Sequence, residues 1–307
     1  MAEGIASRRI AWNGVSFLAP GNWEMAIYKF MRGGASRIEL EDEYSVRMEA
    51  EWLASGTALA MKQILARYER TSRDLTVRAD RGEQIAGLPE GWFATRHIFS
   101  ETVSDRKTRA LKLADHDLVT AFFVSPDSRL FCFVLLHFLP GDREKPRDVM
   151  RLVASEFRHH LNEQYTPWQL FDIKFEIPRQ FVPENTMFGI GAKMMSFRWK
   201  LRRFLLWYYS CPDVFLKDGV KPEEWVAGQL NGFSKIRGPV FSPGRNGEIL
   251  WKRRSRFPLG HIDEITRWCF LYKARCRIDR DRNQLIVWVF SYRRSEDLEM
   301  IPPGLRF

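Results

Sequence analysis

The chain has 307 residues, 45% hydrophobic and 14% aromatic, a composition that excludes a disordered protein. Its length corresponds to roughly two domains of about 150 residues each. The 48 Lys and Arg residues exceed the 38 Asp and Glu residues, and residues 1–165 contain 23 of each sign. The excess of ten positive charges therefore lies wholly in the second half, which suggests a polyanionic partner or a basic, solvated surface with none.

The first half is predicted to consist mostly of strands, with two helices. Alternating apolar residues, with a period of two, predict the strands. Apolar residues with the i, i+3, i+4, i+7 spacing that begins at Met61, and a similar stripe that begins at Val149, predict the helices. The predicted strands are 10–19, 23–30, 36–41, 44–53, 91–101, 108–114, 117–125 and 129–138, and the predicted helices are 57–72 and 142–161.

The second half is predicted to follow the same order. A helix over 222–232 begins at Pro222, Glu223 and Glu224, because proline and acidic residues suit the first turn of a helix. The predicted strands are 168–178, 187–199, 202–210, 248–257, 263–277 and 284–293.

Two stretches indicate an internal repeat, which is a primary guide to architecture. GVSFLAPGNW and DIKFEIPRQF place Phe17 and Phe175 at the same distance before a proline, and each half ends in a pair of very apolar strands. We predict two domains, residues 1–163 and 164–307, in which these two Phe residues occupy equivalent buried positions. Strands, a helix and an antiparallel meander predict an α+β fold of two tandem repeats, each an antiparallel sheet with a helix packed on it.

This order of elements resembles the PsbP-like fold, which DcrB-type proteins and the Ran-release-factor family share. The opening strand with its proline turn, the central helix and the terminal apolar strand pair carry the resemblance in both halves. It implies a non-enzymatic role in binding or assembly. A fold alone does not establish a function.

Catalytic chemistry has few candidates in the sequence. No dinucleotide-binding, P-loop, nucleophile-elbow or HExxH motif occurs, and we predict no cofactor, no metal and no enzymatic activity. His116 with Asp117 and His261 with Asp263 stand at related places in the two halves. They could form a paired site, or they are turn residues whose Asp side chains bond the local backbone.

An acidic stretch in the first half offers a second candidate. Paired carboxylates can act in acid–base catalysis or hold a divalent cation, or they can form a solvated strand face. These residues are Glu39, Glu41, Asp42, Glu43, Glu49 and Glu51.

Basic clusters in the second half are the main functional indication. In FRWKLRRF the apolar residues are predicted to lie largely on one face of the strand and the basic residues on the other. The basic face could then contact phosphates or an acidic protein surface, while the aromatic residues belong to the core. The predicted binding residues are Arg198, Lys200, Arg202, Arg203, Lys252, Arg253, Arg254, Arg256, Arg275 and Arg277.

The cysteines and the apolar runs bear on location. The four cysteines form no CxxC motif, and Cys132 and Cys269 lie in apolar segments typical of buried free thiols. A reducing, cytoplasmic setting is therefore predicted. No signal peptide is recognisable, and the longest apolar runs are too short to span a bilayer, so no membrane insertion is expected.

Two functions remain open at this point. The first is a non-enzymatic binding or assembly protein whose basic second repeat contacts an acidic protein surface or a polyanion. The second is an RNA- or DNA-binding protein that uses the Arg-rich strands of that repeat. The sequence leaves the ligand and the oligomeric state open.

Overall fold

The computed structural model describes residues 6–31, 35–55, 57–62, 64, 66, 79–104, 111–170, 173–216, 219–233, 236, 239–253 and 270–306. For residues 101–104, 111–115 and 170 it describes the backbone alone. The chain divides into two compact units, one of residues 1–162 with 167–171 and the other of residues 163–166 with 172–307.

The first unit contains eleven described strands and one helix that is described over its whole length. Their bounds are β1 Ser7–Trp12, β2 Val15–Pro20, β3 Glu24–Phe30, β4 Ala35–Glu41, β5 Val46–Ala54, β6 Arg81–Gln84, β7 Trp92–Ser104, β8 Leu111–Val124, β9 Leu130–Phe138, α1 Pro146–Ser155, β10 Arg158–His159 and β11 Tyr165–Leu170. The first two residues of β11 belong to the second unit.

The second unit has eight further strands, two α-helices and two 3₁₀ turns. Their bounds are β12 Ile173–Pro178, β13 Val182–Gly189, β14 Ala192–Trp199, β15 Arg202–Ser210, α2 Pro212–Phe215, α3 Pro222–Gly232, β16 Pro239–Pro243, β17 Glu248–Arg253, β18 Leu271–Asp279, β19 Gln284–Tyr292, and the turns Ser295–Met300 and Pro303–Leu305. Helix α3 has the predicted bounds.

Each unit contains a seven-stranded antiparallel sheet. The strand order is β3-β4-β5-β9-β8-β7-β6 in the first and β13-β14-β15-β19-β18-β17-β16 in the second. The two orders are the same. In each sheet the first three strands are adjacent in chain order, the last strand of the sheet in chain order pairs with the third, and the remaining strands follow in reverse chain order.

The turn that precedes each sheet is also the same. The Trp23 N–H donates to the Pro20 carbonyl at 3.1 Å, and the Phe181 N–H donates to the Pro178 carbonyl at 2.9 Å. Phe17 and Phe175 are 2% and 6% exposed, so the prediction that both are buried before the matching proline is confirmed.

The predicted α+β class is wrong, because the fold is mostly β. Strands account for 55% of the residues and helices for 16%. The described helices α1, α2 and α3 have 10, 4 and 11 residues, too few to form a separate helical layer. The helix predicted over 142–161 is about half as long as predicted, since it begins at Pro146 and ends at Ser155, and residues 158–159 instead pair with β2.

Several other predicted segments also differ from the structure. The strands predicted over 168–178 and 187–199 are each divided between two strands, and the described residues of those predicted over 108–114 and 117–125 belong to the single strand β8, apart from residue 125. Residues 10–19 were predicted as one strand, but they belong to β1 and β2, which pair as a hairpin around Asn13 and Gly14. Of the helix predicted over 57–72, residues 61, 62, 64 and 66 are helical, residues 57–60 are not, and residues 63, 65 and 67–72 lie outside the described part.

Both faces of the second sheet are largely covered. On one face, Leu205 and Trp207 of β15 pack with Val226 and Leu230 of α3. On the other face, aromatic side chains fill the core, where the Phe175 ring lies 5.9 Å from that of Phe197. Because β15 is central and buried on both faces, its basic residues are confined to its first two positions.

Candidate functional site

The β14–β15 hairpin brings four of the predicted binding residues together. Register pairs Arg198 with Arg203 and Trp199 with Arg202 across the hairpin. Lys200 lies in the turn between the strands at a φ of 52°, a left-handed conformation that is uncommon for lysine. The turn thus gathers four cationic side chains at one end of the sheet.

A cavity of about 250 Å³, hereafter the hairpin cavity, opens among these side chains. Leu205, Val289 and Phe270 contribute apolar surface to it, and Tyr272 and Ser291 contribute hydroxyl groups. The cationic residues that line it are Arg198, Lys200, Arg202 and Arg203. The cavity therefore combines an apolar surface with four cationic side chains.

Glu184 of β13 neutralises part of that charge. Arg203 donates from Nε and Nη2 to the two carboxylate oxygens of Glu184, at 2.8 Å each. Such a bidentate pair fixes the arginine in one orientation. The Arg198 Nη1 lies 3.7 Å from the same carboxylate, and the Arg198 side chain is 58% exposed. Arg203 is thus held in place, whereas Arg198 remains accessible.

Arg202 has a structural role at the start of β15. Its Nη2 donates to Asp297 Oδ1 at 2.7 Å, and its guanidinium lies 4.7 Å from the centre of the Trp199 ring. Burial raises the pKa of the Asp297 carboxyl, but the hydrogen bonds from Arg202 and two backbone N–H groups outweigh burial and lower it. Arg202 consequently stabilises the second unit and contributes little free charge.

Lys200 is the most available cation of the four. It is exposed, and its Nζ lies 5.1 Å from the centre of the Trp199 ring. Within the part of the chain that the structure describes, no carboxylate pairs with it. Four cations against two carboxylates leave an excess of two positive charges around the hairpin cavity, and Lys200 and Arg198 are its accessible members.

The other predicted cations do not extend this cluster into one continuous surface. Strand register places Arg253 on the same face of the sheet as Arg203, but it places Lys252, Arg275 and Arg277 on the opposite face. Arg254 and Arg256 lie outside the described residues. The binding residues that the sequence predicts are therefore divided between the two faces of the sheet.

The aromatic residues of these clusters are mostly core residues. Phe197, Phe204, Trp207 and Tyr208 are all at most 4% exposed. The prediction that the apolar and basic residues of FRWKLRRF largely separate onto two faces is confirmed by the register: Phe197, Trp199 and Phe204 lie on one face and Arg198 and Arg203 on the other, and Arg202 is the exception on the apolar face. Sequence alternation alone could not show that β15 is covered on both sides.

The His and Asp candidates are not brought together as a catalytic pair in the described residues. Asp117 accepts from Arg96 Nη2 at 2.7 Å, while the His116 ring stacks on Phe99 at 5.4 Å. His261 and Asp263, the related pair of the second half, lie outside the described residues.

The remaining histidines of β7 and β9 have structural partners. His97 is fully buried, its Nε2 lies 2.9 Å from Thr120 Oγ1, and burial lowers its pKa. His137 Nε2 lies 3.0 Å from Glu49, and this hydrogen bond is the main reason that the pKa of Glu49 is lowered.

Arginine side chains pair with three of the six carboxylates of the acidic stretch. Arg37 bridges Glu39 and Glu49 at 2.9 and 2.6 Å, and Arg47 lies 2.6 Å from Asp42. No group of three or more His, Cys, Asp or Glu residues with a metal-binding arrangement occurs among the described residues. Glu39, Asp42 and Glu49 serve here as ion-pair partners.

Cys132, Cys211 and Cys276 are free, and burial raises the pKa of the Cys276 thiol to about 12, so it stays protonated at neutral pH.

Across the described ranges, no helix is both long and apolar enough to cross a membrane.

Comparisons with known proteins give distant likenesses only. No family model and no curated protein matches the chain. A protein of Bacteroides thetaiotaomicron VPI-5482 is 10% identical with a TM-score of 0.26, and the match covers 72% of this chain and 59% of that one. This chain thus spans about three fifths of that protein's length.

Two other solved structures contain MucB. The MucA/MucB complex of Pseudomonas aeruginosa is 12% identical, with a TM-score of 0.17 and coverage of 93% of this chain and 85% of that one. MucB in complex with MucA(peri) is 11% identical, with a TM-score of 0.16 and coverage of 90% and 81%. Scores this low carry no argument about function. None of the three is described as PsbP-like, so that resemblance stays a prediction.

Proposed function

We propose that this protein is a non-enzymatic binding protein whose second unit holds an acidic segment of a protein partner at the hairpin cavity. The observation that carries the proposal is the excess of positive charge around an apolar surface. Arg198 and Lys200 are the accessible cations, and Leu201, which is 51% exposed, and Phe270 supply the apolar part. Carboxylates of the partner would pair with the first two residues, and an apolar side chain would contact the last two.

The size and rigidity of the hairpin cavity favour a protein segment. A volume of about 250 Å³ suits one or two side chains rather than a large ligand. The Arg203–Glu184 and Arg202–Asp297 pairs fix the surrounding side chains, which lowers the conformational entropy lost on binding. Complementary charge of this kind contributes to association rate and specificity.

A nucleic-acid ligand is the second candidate, and one observation favours it. Lys273, Arg275 and Arg277 alternate along β18 on one face, with roughly 7 Å between successive side chains. Such a row can contact phosphates. Base stacking needs accessible aromatic rings, whereas Phe197, Phe204 and Tyr208 are buried. We therefore favour the acidic protein segment.

A cytoplasmic setting belongs to the same proposal. Three free cysteines support it, because thiols persist where the environment is reducing.

The test replaces the two accessible cations while keeping the hairpin intact. Gln at position 198 preserves much of the side-chain stem, and Asn at position 200 tolerates the positive φ of that turn. We expect the Arg198→Gln/Lys200→Asn variant to bind a fluorescein-labelled peptide of alternating Glu and Leu about tenfold more weakly. This corresponds to two exposed ion pairs of about 0.7 kcal/mol each. Fluorescence anisotropy at low salt measures the change.

A matched control removes the same charge elsewhere in the second unit. Arg245 and Arg280 are exposed turn residues that do not line the hairpin cavity. The Arg245→Gln/Arg280→Gln variant should bind the peptide within about twofold of the wild type, since screened distant charges contribute little. Equal loss in both variants would mean that net charge alone governs binding, and the proposed site would be wrong.

A further inference from the structure

The second unit has another cavity, on the face of its sheet opposite to α3. It has a volume of about 380 Å³ and lies between strands β18 and β19 and the chain segment 298–306. We call it the tail cavity. Its volume falls at the lower end of the range of small-molecule sites, which is roughly 300–1,000 Å³.

Two cations on β18 define one wall of the tail cavity. Lys273 and Arg275 are two residues apart, so their side chains project to the same face. Arg277 follows on that face but does not line the cavity. Both ammonium and guanidinium groups donate hydrogen bonds and accept none, which suits an anionic ligand.

Trp288 lies directly across from Arg275 in the strand ladder and also lines the tail cavity. It is 1% exposed, and its Nε1–H has no acceptor within the described part of the chain. An indole N–H only donates, and a buried donor without a partner is costly. Among the described residues that line the tail cavity, the cations Lys273, Arg275 and Arg306 outnumber the one carboxylate, Glu299, so the lining favours an anionic ligand.

The opposite wall is apolar and held in place by the tail itself. Leu298 and Ile301 contribute apolar surface. Arg306 donates from Nε to the Ile301 carbonyl at 2.8 Å and from Nη2 to the Glu299 carbonyl at 2.7 Å, which closes the chain back on itself. Arg202 further anchors this segment through Asp297 at 2.7 Å. The wall is therefore preformed.

We propose that the tail cavity binds a small amphiphilic anion, one carboxylate or phosphate group joined to an aliphatic body. Lys273 and Arg275 pair with the anionic group, and Leu298, Ile301 and the Trp288 ring contact the aliphatic body. This site is separate from the hairpin cavity, so the two proposals stand or fall independently.

Isothermal titration calorimetry with four probes tests the site on the whole protein. Octanoate and octyl phosphate carry both features, acetate carries only the charge, and octanol carries only the aliphatic chain. We expect saturable binding of octanoate or octyl phosphate and at least about tenfold weaker binding of acetate and octanol. The tighter of the first two probes identifies the anionic group. No saturable binding of either, or equal binding of octanol, overturns the proposal.

Matched variants locate the binding. Lys273→Gln removes one charge-assisted contact and should weaken binding of the tighter probe about tenfold. Arg277→Gln removes the same charge from the same strand and face, and should change binding less than about twofold. Leu298→Phe is used instead if Lys273→Gln alters the circular dichroism or the melting temperature. It narrows the apolar part of the tail cavity and should also weaken binding of the probe about tenfold. If Lys273→Gln, or Leu298→Phe in its place, binds the probe as tightly as the wild type does, the proposed site is wrong.

Discussion

Replacing Arg47 with Ala should lower the free energy of unfolding of the first unit by about 3–5 kcal/mol. Arg47 is 5% exposed, with its Nε 2.6 Å from Asp42 Oδ2 and its Nη2 3.1 Å from Asp142 Oδ1. The variant would leave two largely buried carboxylates without their cation. Urea unfolding measures the loss, and hydrogen exchange assigns it to the first unit.

Arg37 provides the matched control for this prediction. Its side chain is 35% exposed and bridges Glu39 and Glu49 on neighbouring strands. Arg37→Ala should cost no more than about 1 kcal/mol, because solvent screens exposed pairs. If Arg47→Ala lowers the free energy of unfolding by less than about 1 kcal/mol, burial does not make the Arg47 ion pairs more important than the exposed pairs of Arg37.

The pH dependence of the Arg47 variant follows from Asp42. Burial raises the pKa of this carboxyl, but hydrogen bonds from the Tyr44 and Ser45 N–H groups and from Arg47 outweigh burial and lower it below 3.8. A lowered pKa in the folded state stabilises the protein above the unfolded pKa of about 4, and this stabilisation is lost as pH falls through the folded value. The difference in the free energy of unfolding between the wild type and Arg47→Ala should therefore become smaller below pH about 4.

Asp297→Ala should destabilise the second unit by about 3 kcal/mol. Asp297 is 4% exposed and accepts from Arg202 at 2.7 Å and from the Arg293 and Arg294 N–H groups at 3.1 and 3.2 Å. Its removal leaves a part-buried guanidinium and two backbone donors without their acceptor. Urea unfolding measures the loss.

Hydrogen exchange adds a local test of the same contact. Backbone amides of residues 295–306 should exchange faster in Asp297→Ala, because the segment loses its anchor to β15. Glu296→Ala in the same turn is the control, since Glu296 is exposed and its loss should cost less than about 0.5 kcal/mol. Unchanged protection of the segment in Asp297→Ala would show that the ion pair does not hold it.

Most strands could be predicted from the sequence, but the fold class could not. Alternation located β15, β17 and β19 to within a few residues. The Asn13–Gly14 pair is a typical hairpin turn, with φ values of 43° and 86°, and it could have divided residues 10–19 into two strands. The α+β prediction failed because an apolar stripe does not fix helix length, and α1 ends at Ser155.

The candidate site was predictable only as a set of residues. The spacing of Arg198, Lys200, Arg202 and Arg203 along the chain, on either side of a turn, is enough to bring them together. The sequence does not indicate which carboxylates pair with them, since Arg202 and Asp297 are separated by 95 residues. The tail cavity likewise depends on the return of residues 298–306 to β18, which no local pattern indicates.

A comparison of the affinities for an acidic peptide and for RNA tests the central claim most directly. The wild-type protein is titrated with the labelled Glu-Leu peptide and with a labelled single-stranded RNA by fluorescence anisotropy at several salt concentrations. The proposed function predicts tighter binding of the peptide and a modest salt dependence, because few ion pairs and an apolar contact are involved. Tighter binding of the RNA with a steep salt dependence would contradict it and establish nucleic-acid binding instead.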